Sequence, residues 1–298
     1  MLDLFFTDHH ELPLPEGHRF PKDKYRLLRE ELQRDSRFRF HAAPLAEETT
    51  IARAHDARYV REFCDGALSD AAMRKIGFPW STGLVLRTLA SVGGTLAATA
   101  AARQTGFGGT LAGGTHHAFH AEGSGYCVFN DIAVAIAWAR DEGWAHRVAV
   151  IDLDVHQGDG TAAMCAGDDN VLTVSVHGKN NFPFRKQRSV LDIELEDGAG
   201  DVEYLAGVEE ALRRVAAFAP EVVFYQSGVD ALASDRLGKL NVSPEGMAAR
   251  DRTVFDRVKA WGVPVVVTMG GGYSDPIRLT VEAHAVTYRT AAEVLDGA

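Results

Sequence analysis

The segment from Val148 to Gly160, VAVIDLDVHQGDG, constrains this chain more than any other. Its apolar, largely β-branched run from Val148 to Ile151 suits a strand buried on both faces. The run ends in Asp152, Asp154, His156 and Asp159 around a Gly-rich turn. Carboxylates are costly to bury bare, so these need a cation, an imidazole or hydrogen-bond donors. The spacing of Asp154 and His156 brings a carboxylate and an imidazole close enough to bind one metal ion.

Other segments repeat the pattern. Strands are expected at Leu2–Phe6, Arg37–His41, Phe107–Ala112, Arg147–Leu153, Val171–Val176, Glu221–Gln226 and Val263–Met269. Helical spacing follows Pro21 as far as Leu32 and recurs within His55–Leu68 and over Thr82–Arg103, where Gly93 and Gly94 mark an interruption or a close contact. Further helices are expected from the N-cap Asn130 to near Gly143, over Val202–Phe218, from Ser243 and Pro244 to Gly262, and from Asp275 and Pro276 onward. The polar residues between His177 and Asp201 read as one long loop. Alternating strands and helices imply a three-layer α/β/α fold with a mainly parallel central sheet. No linker, repeat or low-complexity tract interrupts the 298 residues, which read as a single domain over 1–298.

Composition excludes several classes. The net charge is −10 and no basic stripe is visible, so direct nucleic-acid binding is not expected. Cys64, Cys127 and Cys165 form no CxxC motif, which suits a reducing, cytoplasmic setting, and Cys127 and Cys165 read as small buried residues. The opening MLDLFFTDHH lacks signal-peptide features, and no stretch is expected to reach the roughly 18–20 apolar residues of a membrane span. His9, His10 and His18 read as loop histidines, and Glu30–Leu32 as a solvated helix face.

In a parallel sheet, ligands bind beyond the carboxyl ends of the strands. Reactive residues follow four of the expected strands: His116 and His117 in GGTHHAFH, the Asp152–Asp159 group, Asp230 in SGVDALASD, and Tyr273 in GGGY. Asp154, His156 and Asp230 make a donor set of two carboxylates and one imidazole, which suits Zn²⁺ with an open position and also accepts Fe²⁺, Co²⁺ or Mn²⁺. Two carboxylates cancel the charge of such an ion, so a separate base is needed to deprotonate water. His116 and His117 offer it, with the spare acids Asp152 and Asp159 to fix their tautomers. The glycines Gly271 and Gly272 let backbone approach a ligand, and Tyr273 can donate to an oxyanion. GSGYC, Gly123–Cys127, reads as one wall of a substrate slot lined by Tyr126, with Phe182 and Phe184 as the opposite wall.

Taken together, GGTHHAFHAEGSGYCVFND, VIDLDVHQGDGT, SGVDALASDRLGKL and GGGY resemble the zinc-dependent histone deacetylase family, which shares the arginase-like α/β fold. The motifs occur in the family's order, and HQG and SDRLGKLNVSPEG look most like its class IV branch and bacterial relatives. The resemblance implies zinc ligation by Asp154, His156 and Asp230, with His116 and His117 as general base and acid backed by Asp152 and Asp159. It further implies Tyr273 as carbonyl polariser and Gly125 and Tyr126 in an acyl-lysine tunnel. It also implies a structural K⁺ beside the zinc, held by Asp152, Asp154, His156, Ser175 and Val176. Gln157 replaces a histidine common in class I members, and KNNFPFRKQ departs from the usual double-phenylalanine loop. The expected substrates are acylated lysine peptides or proteins, or acylated polyamines. Two other readings are an arginase-type ureohydrolase with two Mn²⁺ and a non-catalytic acyl-binding protein.

Overall fold

The computed structural model describes residues 1–296. The strands are β1 (Leu2–Phe6), β2 (Phe38–Ala42), β3 (Phe107–Thr110), β4 (Val148–Asp152), β5 (Val171–Gly178), β6 (Leu191–Leu195), β7 (Val222–Gln226) and β8 (Val265–Thr268). The first six helices are α1 (Lys24–Leu32), α2 (Glu48–Ile51), α3 (Ala57–Cys64), α4 (Asp70–Ile76), α5 (Thr82–Thr105) and α6 (Asp131–Asp141). They are followed by α7 (Asp159–Met164), α8 (Asp201–Phe218), α9 (Pro244–Trp261) and α10 (Arg278–Leu295).

All eight strands form one sheet in the order β2-β1-β3-β8-β7-β4-β5-β6. Every pairing is parallel. The central strands are apolar throughout because both faces are covered. Along β4, Ala149 and Ile151 pack with residues of α8, α9 and α10, while Val148 and Val150 pack with Ala98 and Ala102 of α5 and Ile132 and Ile136 of α6. Successive side chains of a strand point to opposite faces, so a continuous apolar run serves two helical layers at once. A further apolar cluster joins α2, α3, α4 and α5 residues, including Phe63, Ile76 and Val92.

The four strands expected to carry reactive residues are β3, β8, β7 and β4, and they are consecutive neighbours in the middle of the sheet. Their carboxyl ends therefore open on one place.

Several expectations are corrected. The stretch between His177 and Asp201 is not a single loop: Leu191–Leu195 adds β6 as an edge strand beside β5. The last helix begins at Arg278. The residues before it form a turn in which the Ser274 N–H donates to Thr280 Oγ1 at 3.0 Å. Leu32 is fully buried, and Glu31 accepts from Arg278 and Arg289 of α10, so this face of α1 is a docking face. Cys165 is only partly buried. Of the two readings of Gly93, the close contact holds: α5 is uninterrupted there, and a Cβ would overlap the Pro44 carbonyl. Against expectation, α5 is long and apolar enough to cross a membrane, with a mean hydropathy of 1.4, and 61% of that window is buried within the fold.

His55, at the start of the α3 region, shows how a buried imidazole ties loops to this frame. Its Nδ1 lies 3.2 Å from the His120 carbonyl, and its Nε2 accepts from the Asn130 N–H at 2.8 Å. Only the neutral ring satisfies both. Burial accordingly lowers its pKa from 6.5 to about 4. The unfolded chain then binds the extra proton between those two values, so stability is present above pH 6.5 and is lost as the pH falls toward 4. Lowering the pH from 7 to 5 should cost wild-type protein about 2 kcal/mol more unfolding free energy than a His55→Gln variant loses, measured by denaturant titration. Equal losses in the two proteins would show that His55 is not the titrating group.

Candidate active site

Beyond β4 the chain turns through Leu153–Gly158, and beyond β7 through Ser227–Asp230. These turns bring Asp154, His156 and Asp230 together, each with one donor atom within 4.8 Å of the others and all of them buried. His156 Nδ1 lies 3.0 Å from Asp154 Oδ1 and 3.0 Å from Asp230 Oδ2. Two carboxylates and one imidazole converging at this spacing fit a tetrahedral divalent ion with one position left for a ligand. The two carboxylates favour positive charge on the imidazole. Burial pulls the His156 pKa down, yet hydrogen bonding to Asp154 and Asp230 outweighs it and raises the pKa to about 10. Burial, followed by the charge of Asp154, pushes Asp230 up to about 7.

The backbone is built around these carboxylates. Asp230 Oδ1 accepts from the Val155 N–H at 2.8 Å, and Asp154 Oδ2 accepts from the Gly271 N–H at 2.7 Å. A Cβ on Gly271 would overlap the Asp230 carboxylate, so no other residue fits there. Gly272 follows it in the same turn, and its carbonyl faces Lys24 Nζ at 3.4 Å.

The loop after β3 delivers His116 and His117. His116 Nδ1 is 2.7 Å from Asp152 Oδ2, and His117 Nδ1 is 2.7 Å from Asp159 Oδ1. Burial opposes charge on both rings, but the outcomes differ. At His116 the Asp152 and Asp154 carboxylates overcome burial and raise the pKa to about 9. At His117 burial and the charge of His116 prevail over Asp159 and lower it to about 4. Two adjacent imidazoles are thus driven to opposite protonation states, one a proton donor and one an acceptor. A divalent ion on Asp154 would reduce the pull on His116.

Tyr273, Gly125 and Tyr126 line the same cavity of about 710 Å³ as the histidines and the three donors. Burial pushes the Tyr273 phenol well above its usual pKa, so its O–H is retained for donation. Gly125 has a left-handed backbone, φ +54°, and packs against His117 and Phe182. Phe182 and His117 meet edge to face with ring centroids 4.9 Å apart, whereas Phe184, which lines the same cavity, is 86% exposed. Asp152 and Ser175 are partners in the β4–β5 register, and they are buried with Asp154, His156 and Val176.

Other residues of the site have roles that the sequence alone does not give. Asp235 accepts from the Tyr273 N–H at 2.6 Å and from the Leu237 and Gly238 N–H groups, fixing the tyrosine turn. Asp131 accepts from the N–H groups of Gly114 and Thr115 and from the Thr95 hydroxyl, holding the histidine loop. Arg250 is fully buried and donates to the Ser227 and Gly228 carbonyls just before Asp230. Lys24 donates to the Gly270 and Gly272 carbonyls. Asp131 and Asp235 lie inside recognisable motifs, but only folding reveals what they hold.

The fold matches solved α/β structures over essentially its whole length. An acetylpolyamine aminohydrolase of Burkholderia pseudomallei superposes with a TM-score of 0.81 at 20% identity, covering 99% of each chain. The HDA15 HD domain superposes with a TM-score of 0.80 at 20% identity, covering all of this chain and 91% of that one. The histone deacetylase domain model matches residues 18–289. A histone deacetylase-like amidohydrolase of Pseudomonas aeruginosa is 30% identical over 88% of this chain and 74% of its own length. An uncharacterized protein of Picosynechococcus sp. is 42% identical over 95% of both chains. Histone deacetylase 2 of Arabidopsis thaliana is 36% identical over 61% of this chain and 48% of its own length. The architecture is thus the three-layer α/β fold with a parallel central sheet. The chain belongs to the histone deacetylase family.

Removing one carboxylate tests the donor set directly. Asp154→Ala should lower bound divalent metal, measured by equilibrium dialysis and elemental analysis, to below about a tenth of the wild-type content. Wild-type metal content in that variant would exclude Asp154 as a ligand.

Proposed function

We propose that this protein is a zinc-dependent deacylase that removes acetyl or longer acyl groups from the ε-amino group of lysine in peptides or proteins. The observation that carries this reading is the convergence of three elements on one cavity: the Asp154–His156–Asp230 cluster, two oppositely tuned histidine–aspartate pairs, and Tyr273. Bound to the three donors, zinc would supply polarisation of the acyl carbonyl and acidification of a water.

The chain's own residues supply the rest. Neutral His117, fixed through Nδ1 by Asp159, presents Nε2 to take the proton of the attacking water. His116, held through Nδ1 by Asp152, delivers a proton to the departing amine. The Tyr273 hydroxyl donates to the carbonyl oxygen as negative charge builds there. Gly125, Tyr126 and Phe182 flank the lysine stem. A K⁺ ion at Asp152, Asp154, His156, Ser175 and Val176 would brace the β4–β5 end beneath the cluster. HQG and SDRLGKLNVSPEG support placement near the class IV branch.

Cavity charge favours acyl-lysine over acylated polyamine. Apart from Asp154 and Asp230, no carboxylate among the described residues lines the cavity, whereas Lys24 and Arg87 do, and Lys75 and Lys239 line it as partners of Glu122 and Asp197. A polycationic chain would meet like charge at Lys24 and Arg87. The arginase-type reading is disfavoured because, among the described residues, one three-donor group is found and Asp152 is engaged by His116.

Zinc-loaded protein should hydrolyse an acetyl-lysine or longer acyl-lysine peptide and lose that activity to a chelator. Tyr273→Phe should retain zinc while kcat falls roughly 10²–10³-fold, the loss expected for one oxyanion donor. Absence of hydrolysis across acetyl- to myristoyl-lysine peptides with zinc bound would overturn the proposal.

A further inference from the structure

Gln157 and the loop KNNFPFRKQ, Lys179–Gln187, lie apart in the sequence and meet in the structure. Gln157 is 1% exposed and directly follows His156 of the donor cluster. Its carboxamide makes three hydrogen bonds. Oε1 accepts from the Gln187 N–H at 2.8 Å, and Nε2 donates to the Gln187 carbonyl at 2.8 Å and to Asp192 Oδ1 at 2.7 Å. A carboxamide carries donor and acceptor side by side, so it can take both backbone groups of one residue. Asp192, on β6, uses its other oxygen to accept from the Ser189 N–H at 2.8 Å. The turn that presents the metal donors is thereby tied to the end of the loop.

The loop carries that tie to the cavity wall. Lys186 Nζ donates to the Asn181 and Pro183 carbonyls at 2.6 and 2.8 Å, which closes residues 181–186 into a compact arc. At the other end of the arc, buried Asn181 donates through Nδ2 to the Leu237 carbonyl at 2.8 Å and accepts from the Lys239 N–H at 3.3 Å. Phe182 is the next residue. It lines the cavity and packs its ring against His117. A Cβ on Gly125 would stand 2.8 Å from the His117 ring and 3.1 Å from the Phe182 ring, so the three are closely packed. The wall therefore has two anchors. Asn181 holds one end to the segment after Asp230, and Gln157 holds the other to the residue after His156.

We infer that Gln157 is a positioning residue for the proposed deacylation. Through Gln187 and the arc it fixes Phe182 beside His117, and so sets how an acyl-lysine stem lies against the base. This rests on the deacylase reading and adds to it a residue that does not itself line the cavity. Small misplacements of a bound substrate are costly to the chemical step, so the loss of this anchor acts on kcat more than on KM.

Gln157→Met keeps the length of the side chain and removes all three bonds. With metal content at the wild-type level, kcat on an acetyl-lysine peptide should fall about tenfold or more. Hydrogen exchange of the segment 180–190, followed by mass spectrometry, should speed up about tenfold or more. Phe182→Ala tests the route: adding Gln157→Met to it should cost little further activity, since both changes release the same wall. Gln157→Glu turns a carboxylate toward Asp192 and should also lose activity. Combining it with Asp192→Asn exchanges the carboxamide and the carboxylate and should recover part of both kcat and exchange protection. This exchange keeps the test open where Gln157→Met does not fold.

Unchanged exchange over 180–190 in the Gln157 variants, or losses that add in full on top of Phe182→Ala, overturns the inference and leaves the deacylase reading intact. If the wild type hydrolyses no acyl-lysine peptide, the deacylase reading fails and the positioning role falls with it. Exchange that still depends on Gln157 would then show an anchor of the wall and nothing more.

Discussion

Two carboxylates, Asp154 and Asp230, face one imidazole nitrogen in a place from which water is nearly excluded. Such a grouping is unfavourable without added positive charge. The surrounding structure is arranged to hold it open for that charge. Backbone N–H groups from Val155 and Gly271 take one carboxylate oxygen each, which fixes the carboxylates and leaves their remaining oxygens turned inward. Neither contact forms unless the turns after β4, β7 and β8 are side by side, and the strand order makes them so.

The same frame separates two chemically identical side chains. His116 and His117 are adjacent in sequence, and their rings are 4.1 Å apart. Each has an aspartate on Nδ1. What differs is the second neighbour: Asp154 stands 3.9 Å from His116 Nε2, whereas His117 faces Gly125 and the edge of Phe182. One ring therefore gains a second negative charge and the other gains apolar cover. Opposite proton affinities arise within one dipeptide without any difference in residue type.

The sheet and its reactive rim were legible because both write local patterns. Val148–Ile151 and Val222–Phe224 are apolar on both faces, and an apolar run stopping in an acid marks a strand end in any parallel sheet. The edge strand β6 was not legible, since Leu191, Ile193 and Leu195 alternate with acids inside a polar stretch, and only Leu195 is buried. The aspartates behind the histidines were legible through chemistry, because an imidazole with a set tautomer needs an acceptor. Lys24 was not, because it meets its partner carbonyl 246 residues away in sequence. Arg87 sits in an apolar helix, where its spacing gives no indication that it opens into the cavity. Asp235 and Arg250 hold turns rather than touch reacting atoms, and such support is visible only when hydrogen-bond partners can be traced.

The central claim is that Asp154, His156 and Asp230 together hold a single catalytic zinc ion. Anomalous diffraction at the zinc edge from crystals of zinc-loaded protein tests it most directly. The account predicts one peak at full occupancy within about 2.0–2.2 Å of His156 Nδ1 and of an oxygen from each of Asp154 and Asp230. Two strong peaks about 3.5–4 Å apart, as in a two-metal hydrolase, or a peak away from these three residues, would contradict it.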